Sequence, residues 1–243
     1  MKTESAKDKL IVALDVDSQS RALDLFERLR EHAGMFKVGM QLFTAAGPDI
    51  VRRIVTRGSR VFLDLKYHDI PNTVAMAAIE ATRLGVSIFN IHASGGREMM
   101  KRTTEAVSEI SLRENLPKPE VIAVTLLTSV DYETLKGIGI DEAPAAVVSR
   151  LASIAEACGL DGVVASAQEV TKIRNTVSRS DFLIVTPGIR SAASADDQLR
   201  TMTITEAIRA GADYLVVGRP ILRANDPIAA ARGVVEEIES ALA

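Results

Sequence analysis

Residues 61–84 read VFLDLKYHDIPNTVAMAAIEATRL, and they contain the repeating unit from which the fold can be predicted. The first part, Val61–Tyr67, is almost continuously apolar. A strand of this composition is typically buried on both faces, as in a parallel sheet. The second part, Thr73–Leu84, has an amphipathic helical pattern, and Gly85 follows where a helix commonly ends. The stretch is therefore one strand–helix unit.

The same unit recurs on both sides of residues 61–84, without a linker or a low-complexity segment. The other predicted strands are Leu10–Val16, Phe36–Met40, Ile88–Ala93, Val121–Leu127, Gly162–Ser166, Phe182–Pro187 and Tyr214–Gly218. The other predicted helices are Ser20–His32, Asp49–Thr56, Arg97–Leu112, Ala145–Cys158, Ala167–Val177, Thr203–Ala210 and Pro227–Leu242. Eight such units with right-handed crossovers close into a barrel.

We therefore predict an α/β protein, a (β/α)8 TIM barrel formed by a single domain over residues 1–243. An open doubly wound sheet is the alternative, and it would place a glycine-rich fingerprint after the first strand. The residues at that position, 15–18, read DVDS and do not form one. Active sites of these barrels lie at the C-terminal ends of the strands. The candidate functional residues are therefore the polar residues that end the apolar runs.

Composition excludes several classes of function. The formal net charge of -3 provides no general positive field for binding nucleic acid. Cys158 is the only cysteine, so an intrachain disulfide is impossible, which fits a reducing compartment. The first apolar run, Leu10–Leu14, is too short for a signal peptide, and no later run has the length of a membrane span. We expect a soluble, cytoplasmic protein without membrane or nucleic-acid partners.

Charged residues lie at or just beyond the ends of the first three strands: Asp15, Lys37, Asp64, Lys66 and Asp69. Charges in such positions are costly unless they pair, so an alternating cluster is expected. Residues 64 and 66 are two apart on a strand and should project to the same side. Neighbouring carboxylates favour the ammonium form of Lys66, which indicates a fixed cation and proton donor rather than a Schiff-base nucleophile. A purely structural salt-bridge cluster remains the alternative.

A second group of residues is typical of a phosphate site. Residues 186–188, Thr-Pro-Gly, end the seventh predicted strand, and Gly218-Arg219 ends the eighth. The loops after strands 7 and 8 form the usual phosphate site of these barrels. Glycine allows a backbone N–H to approach closely, arginine supplies a charge-assisted contact, and Gln198 in the intervening loop is a neutral donor. The alternative is a turn glycine followed by a solvated arginine.

The stretch DLKYHDIPNTV, residues 64–74, strongly resembles the signature of the orotidine 5'-monophosphate decarboxylase family. Six more blocks resemble that family in its order, at residues 13–15, 36–39, 124–129, 186–190, 196–198 and 217–221. The resemblance implies a barrel that converts orotidine 5'-monophosphate to UMP and CO2, the last step of de novo pyrimidine nucleotide synthesis. It also implies a homodimer with shared active sites that uses no metal ion and no organic cofactor.

The resemblance also implies a role for each matching residue. Lys66 would protonate C6 of the pyrimidine as CO2 leaves, and Asp64 would lie beside the substrate carboxylate. The implied contributors from a partner subunit are Asp69, near the reacting group, and Thr73, near the ribose. The remaining implied contacts are Asp15 and Lys37 to the ribose hydroxyls, Thr128 to the pyrimidine, and Arg190, Gln198, Gly218 and Arg219 to the 5'-phosphate. In the loop between Arg190 and Gln198, residues 191–195 read SAASA, whereas family members often have Pro and Gly there.

Two other functions remain open from the sequence. A related sugar-phosphate decarboxylase of the 3-keto-gulonate 6-phosphate type shares an Asp-x-Lys-x-x-Asp core, but it would need Mg²⁺ and a further acidic ligand. Lys37 and the HDIPNT pattern at residues 68–73 argue against it. The other alternative is a non-catalytic barrel that binds a nucleotide or a phosphate. The three histidines, His32, His68 and His92, have no zinc-binding spacing.

Overall fold

The computed structural model of the chain describes residues 5–188 and 202–243. Eight parallel strands pair in sequence order, and the last pairs with the first, so the sheet closes into a barrel. The strands are β1 (Leu10–Ala13), β2 (Met35–Gly39), β3 (Arg60–Tyr67), β4 (Ile88–His92), β5 (Glu120–Val124), β6 (Gly162–Val164), β7 (Leu183–Pro187) and β8 (Tyr214–Val217). The predicted (β/α)8 barrel is confirmed, and the open-sheet alternative is wrong.

Helices connect the strands and cover the outside of the barrel. They are α1 (Ala6–Lys9), α2 (Gln19–Leu29), α3 (Met40–Ala46), α4 (Asp49–Val55), α5 (Pro71–Arg83), α6 (Gly96–Arg113), α7 (Tyr132–Gly137), α8 (Pro144–Ala157), α9 (Val170–Arg174), α10 (Ile204–Ala210), α11 (Arg219–Leu222) and α12 (Pro227–Leu242). Two short 3-10 helices, Ala93–Gly95 and Ala167–Glu169, precede α6 and α9. Among the described residues, no helix has the length and apolar character needed to span a membrane.

The strands lack a polar face because both sides of the sheet are buried. In β1, Leu10 and Val12 belong to the layer between the sheet and the helices, whereas Ile11 and Ala13 belong to the barrel interior. Alternate residues of a strand point to opposite faces, so each strand supplies both layers. The interior contains Ile11, Ala13, Met35, Phe62, Ile88, Ile122, Val124, Val164, Leu183, Val185, Tyr214 and Val216.

Several strands end earlier than their apolar runs predict. β1 ends at Ala13 rather than Val16, because the N–H of Val16 donates to the carbonyl of Leu14 at 3.0 Å and turns the chain away from the sheet. β5 ends at Val124, although the apolar run continues through 126 and 127. Those two leucines line the cavity at the end of the barrel, so their apolar character reflects contact with that cavity rather than strand pairing.

Some short helices were not predicted. Met40, expected to end a strand, begins α3, and further short helices occur at α7 and α11. Each has seven residues or fewer, which is too short for helical periodicity to be recognised. These segments occupy connections that follow β2, β5 and β8, where side chains reach the C-terminal end of the barrel.

Candidate active site

A cavity of about 670 Å³ opens at the C-terminal end of the barrel. Its inner wall is apolar and includes Phe62, Val124 and Val164, which point inward from β3, β5 and β6. Its polar lining includes Asp15, Lys37, Asp64, Lys66, Thr128, Ser129, Arg219 and Arg223. An apolar wall with a few convergent charges is typical of a small-molecule site.

Four of the five predicted cluster residues form a continuous chain of alternating charge, which we call the mouth cluster: Asp15, Lys37, Asp64 and Lys66. The amine of Lys37 lies 2.9 Å from Asp15 Oδ1 and 3.3 Å from Asp64 Oδ2. The amine of Lys66 donates to Asp64 Oδ1 at 2.5 Å. Asp64 therefore uses one oxygen for each lysine, so its carboxylate fixes the relative positions of the two amines.

The two buried members of the mouth cluster have shifted pKa values. Burial by itself lowers the pKa of Lys37, but the charges of Asp64 and Asp15 outweigh it and raise that pKa above the ordinary value. Burial by itself raises the pKa of Asp64, but Lys37 and Lys66 outweigh it and lower that pKa. Each shift favours the charged form. Lys37 and Asp64 are thus held as a charged pair, at 8% and 9% exposure.

Lys66 lies in a distorted part of β3. Its φ is 53°, in the left-handed region that a residue other than glycine rarely adopts. The pairing of β3 with β4 shifts between Leu63 and Tyr67, which pair with Phe89 and Ile91. Lys66 and Asp64 do line the same cavity, as expected. The regular alternation of a strand does not account for this, because both residues lie within the irregular segment between Leu63 and Tyr67.

Asp69 and Thr73 lie outside the cavity of their own chain. Both are exposed, and neither lines the cavity. The Asp69 carboxylate accepts the N–H of Ile70 at 2.7 Å, so it is occupied locally at the start of α5. The single chain therefore does not bring these two residues to the mouth cluster.

The predicted phosphate residues lie on another side of the cavity. Gly188, Gly218 and Arg219 line it at the ends of β7 and β8, and Thr128 lines it from the loop four residues beyond β5. Gly218 lies against Ala13, since a Cβ added there would be 3.4 Å from the Ala13 side chain. Arg190 and Gln198, together with the loop at 191–195, lie outside the described residues.

Two residues near the cavity were missed from the sequence. Asn90 on β4 is fully buried, and its side chain bonds both Lys66 and Asp64. Its only sequence signal is an amide within the apolar strand Ile88–Ile91. Arg223 lines the cavity four residues beyond Arg219, one helical turn further along the chain. A polar residue inside a buried strand usually has specific partners, but the sequence does not identify them.

Histidine and acidic side chains are among the groups of this chain that could bind a metal ion. The rings of His68 and His92 lie 5.2 Å apart beside the mouth cluster, and burial, His68 and Lys66 together lower the pKa of His92. Across residues 5–188 and 202–243, no three His, Cys, Asp or Glu side chains are grouped so as to hold a metal ion.

Comparisons with known proteins agree with this geometry. Residues 8–234 match the model of the orotidine 5'-phosphate decarboxylase / HUMPS family. The chain is 54% identical to a protein named orotidine 5'-phosphate decarboxylase from Geobacter sp. (strain M21), over 98% of this chain and 99% of that one. A protein of the same name from Syntrophotalea carbinolica is 56% identical, with 98% and 97% covered. The crystal structure of orotidine 5'-phosphate decarboxylase from Lactobacillus acidophilus has a TM-score of 0.83 at 37% identity, covering 94% of this chain and 98% of that one.

Proposed function

Because this chain belongs to the orotidine 5'-phosphate decarboxylase / HUMPS family, we propose that its cavity converts orotidine 5'-monophosphate to UMP and CO2. This is the last step of de novo pyrimidine nucleotide synthesis, a cytoplasmic pathway. The observation that carries the proposal is the position of Lys66, which lines a cavity with an apolar inner wall and whose amine is held by Asp64. The cavity also has Gly188, Gly218 and Arg219 along its rim, as a nucleotide monophosphate requires.

In this proposal Lys66 is the proton donor. The bond between C6 and the carboxyl carbon breaks, and its electron pair stays on C6 while CO2 departs. No carbonyl adjacent to C6 can accept that charge. The fixed ammonium of Lys66 stabilises the developing negative charge and then transfers one proton to C6, and the neutral amine regains a proton from water. A cation placed in advance is effective because it need not reorganise during the reaction.

The other residues bind and orient the nucleotide. Asp64 holds the Lys66 amine and lies beside the substrate carboxylate, while Asp15 and Lys37 bind the ribose hydroxyls. Thr128 faces the pyrimidine. The proposed phosphate contacts are Arg219, the backbone of Gly218 and, from the family resemblance alone, Arg190 and Gln198. Binding energy from the phosphate, remote from C6, can then position the substrate for the chemical step.

We include a homodimer with shared sites in the proposal. Asp69 and Thr73 are exposed and absent from the cavity of their own chain, so the assigned roles require a second subunit. Large apolar side chains are exposed in the same part of the structure, with Ile70 at 67%, Met40 at 55% and Met76 at 46% exposure. An apolar surface beside polar functional residues is typical of a protein interface.

Mixing two inactive variants tests the shared site. A Lys66→Met subunit paired with an Asp69→Asn subunit forms one intact site, which combines Lys66 of one subunit with Asp69 of the other. Random exchange should therefore restore about one quarter of the wild-type activity, since half of the dimers are mixed and each has one intact site of two. Two inactive variants that remain inactive after exchange, with mixed dimers demonstrated by mass spectrometry, would contradict the shared site.

The decarboxylase proposal is tested by the loss of orotidylate absorbance on mixing with purified protein treated with a chelator. We expect turnover to UMP that EDTA does not reduce. The 3-keto-gulonate 6-phosphate alternative instead predicts turnover of that sugar phosphate and restoration by Mg²⁺. A non-catalytic barrel predicts that UMP binds, as measured by calorimetry, while orotidylate persists. Either of these two results would overturn the proposal.

A further inference from the structure

Lys66 occupies a backbone conformation that its surroundings must maintain. A left-handed residue other than glycine costs about 1–2 kcal/mol relative to the ordinary strand conformation. The segment from Leu63 to Tyr67 spans four residue steps, opposite only two steps, Phe89 to Ile91, on β4. The bulged residues therefore lack regular pairing with β4, and the N–H of Lys66 needs another acceptor.

Asn90 supplies that acceptor. It is the β4 residue opposite the bulge, and it is 0% exposed. Its Oδ1 accepts the backbone N–H of Lys66 at 2.8 Å, and its Nδ2 donates to Asp64 Oδ1 at 2.7 Å. The two contacts fix the orientation of the carboxamide, because the reverse orientation would place an oxygen against a carboxylate and an N–H against an N–H.

The contacts form a closed ring. Asp64 Oδ1 receives both the Asn90 amide and the Lys66 amine, while the Asn90 carbonyl receives the Lys66 N–H. Asn90, one buried side chain on the next strand, therefore holds the backbone of Lys66 directly and its amine through Asp64. Asn90 itself does not line the cavity, so it acts through these two residues rather than on a ligand.

We propose that Asn90 is a positioning residue that holds the Lys66 backbone and the Asp64 carboxylate so that the lysine amine is aimed at the reacting carbon. The proposal rests on the decarboxylase function proposed above. It predicts that Asn90 contributes to the chemical step and little to nucleotide binding, since the ribose and phosphate contacts lie on other strands. A displacement of about 1 Å at a reacting group can reduce the rate by about 100-fold.

The first test is Asn90→Leu, which keeps the branching at Cγ, enlarges the side chain and removes both hydrogen bonds. We expect kcat to fall about 10- to 100-fold, while KM and the Kd for UMP change by less than about threefold. Asn90→Ser, whose hydroxyl cannot reach both partners, should behave in the same way and replaces the leucine variant if that one does not fold. Retention of kcat within about twofold in a folded variant would overturn the proposal.

Asn90→Asp provides a readout that a general loss of packing would not give. The new carboxylate would face Asp64, with Lys66, Lys37 and His92 as the other titratable groups near it, and the two like charges repel. When the pair binds a proton, the protonated oxygen can donate as Nδ2 does, and the other oxygen can still accept the Lys66 N–H. We expect kcat, relative to wild type, to rise as the pH falls. A ratio that is independent of pH contradicts the proposal.

Thr125→Val is the matched control. Thr125 is also a buried polar residue near the C-terminal end of a strand, but its hydroxyl donates to the carbonyl of Val164 at 3.0 Å. The Thr125→Val variant should have a lower free energy of unfolding without the selective loss of kcat expected for the Asn90 variants. The two proposals fail separately: wild-type protein that does not decarboxylate orotidylate refutes the function, whereas active Asn90 variants refute only the positioning role.

Discussion

The two ends of the barrel both contain buried or half-buried charges, but those charges have different partners. At the N-terminal end of the strands, which we call the floor, Arg174 donates to the carbonyls of Gly211 and Phe182 and pairs with Asp213. The Asp213 carboxylate also accepts the N–H of Ile184 at 2.7 Å. Apart from the Arg174–Asp213 pair, these contacts connect side chains to the backbone, so they secure loops and strand ends.

In the mouth cluster, the amines of Lys37 and Lys66 bond carboxylate side chains beside an open cavity. The floor charges mainly hydrogen-bond backbone N–H and carbonyl groups. The mouth charges instead hold one another in place beside a cavity that a ligand can occupy. The difference teaches that pairing alone does not separate a functional cluster from a structural one. The partners of the charges and the adjacent cavity make that distinction.

The largest expected contrast is between one substitution at each end. Lys66→Met should reduce kcat by about 10³-fold or more, at the upper range for a positioned proton donor, with little change in Tm. Arg174→Met should lower the free energy of unfolding by about 2 kcal/mol through lost charged hydrogen bonds and leave kcat nearly unchanged. Steady-state kinetics and thermal unfolding of both variants measure this. If Lys66→Met lowered Tm without lowering kcat, the mouth and floor charges would not differ in function as described.

Arg219→Ala should have the next largest effect. Loss of a charge-assisted contact of about 1.5–3 kcal/mol weakens UMP binding about 10- to 100-fold. Calorimetry with UMP and with uridine measures it, and uridine should bind the variant and the wild type equally. Arg102→Ala, on the outer helix α6, is the control and should leave both affinities unchanged. Equal weakening for uridine would contradict a phosphate contact.

A pair of glycine substitutions, one at each end of the barrel, should give a smaller contrast between stability and substrate binding. A Cβ at Gly34 on the floor would lie 2.5 Å from the Asp8 backbone, so Gly34→Ala should cost about 1–3 kcal/mol of stability. A Cβ at Gly39 would lie 2.9 Å from the Lys37 amine, the far end of a flexible side chain. Gly39→Ala should therefore lose less Tm than Gly34→Ala and raise KM about tenfold, the value of one displaced charged contact. Unfolding curves and steady-state kinetics of the two variants measure these effects. A larger loss of Tm in Gly39→Ala than in Gly34→Ala would contradict the comparison.

The pH dependence of stability should be the smallest effect. The pKa of Asp64 is lowered on folding, so its ionised form stabilises the protein above its unfolded pKa, about 3.9. That contribution is lost as the pH falls through the lower folded pKa. The difference in unfolding free energy between wild type and Asp64→Asn should therefore shrink from pH 6 to pH 3. Denaturant titrations measure it, and a constant difference would contradict the charge pairing.

The sequence predicts the barrel well because burial of both strand faces leaves a continuous apolar pattern, as in Val61–Tyr67. It also predicts that Asp15, Lys37, Asp64 and Lys66 meet, since consecutive strands end with alternating charges. The strand ends were less predictable, because residues that line a cavity resemble residues in a sheet.

Two features of the site depend on information that periodicity does not contain. The contacts of Asn90 exist because β3 bulges at Lys66, and a bulge has no reliable apolar pattern. The position of Asp69 relative to an active site depends on how a second subunit packs. Residue type identified Asp69 as a candidate, but the contacts of a single chain do not bring it into the cavity.

The central claim is that an amine at residue 66 delivers a proton to the reacting carbon, and replacing that amine chemically tests it most directly. Lys66→Cys, made in a Cys158→Ala background because Cys158 is the only natural cysteine, can be alkylated with 2-bromoethylamine. In the product, the same number of atoms separates the amine from the backbone as in lysine, with sulfur in place of one methylene. We predict that aminoethylation restores orotidylate turnover and that iodoacetamide treatment does not. Turnover by the unmodified cysteine variant, or no recovery after complete aminoethylation of a variant that still binds UMP, would contradict the claim.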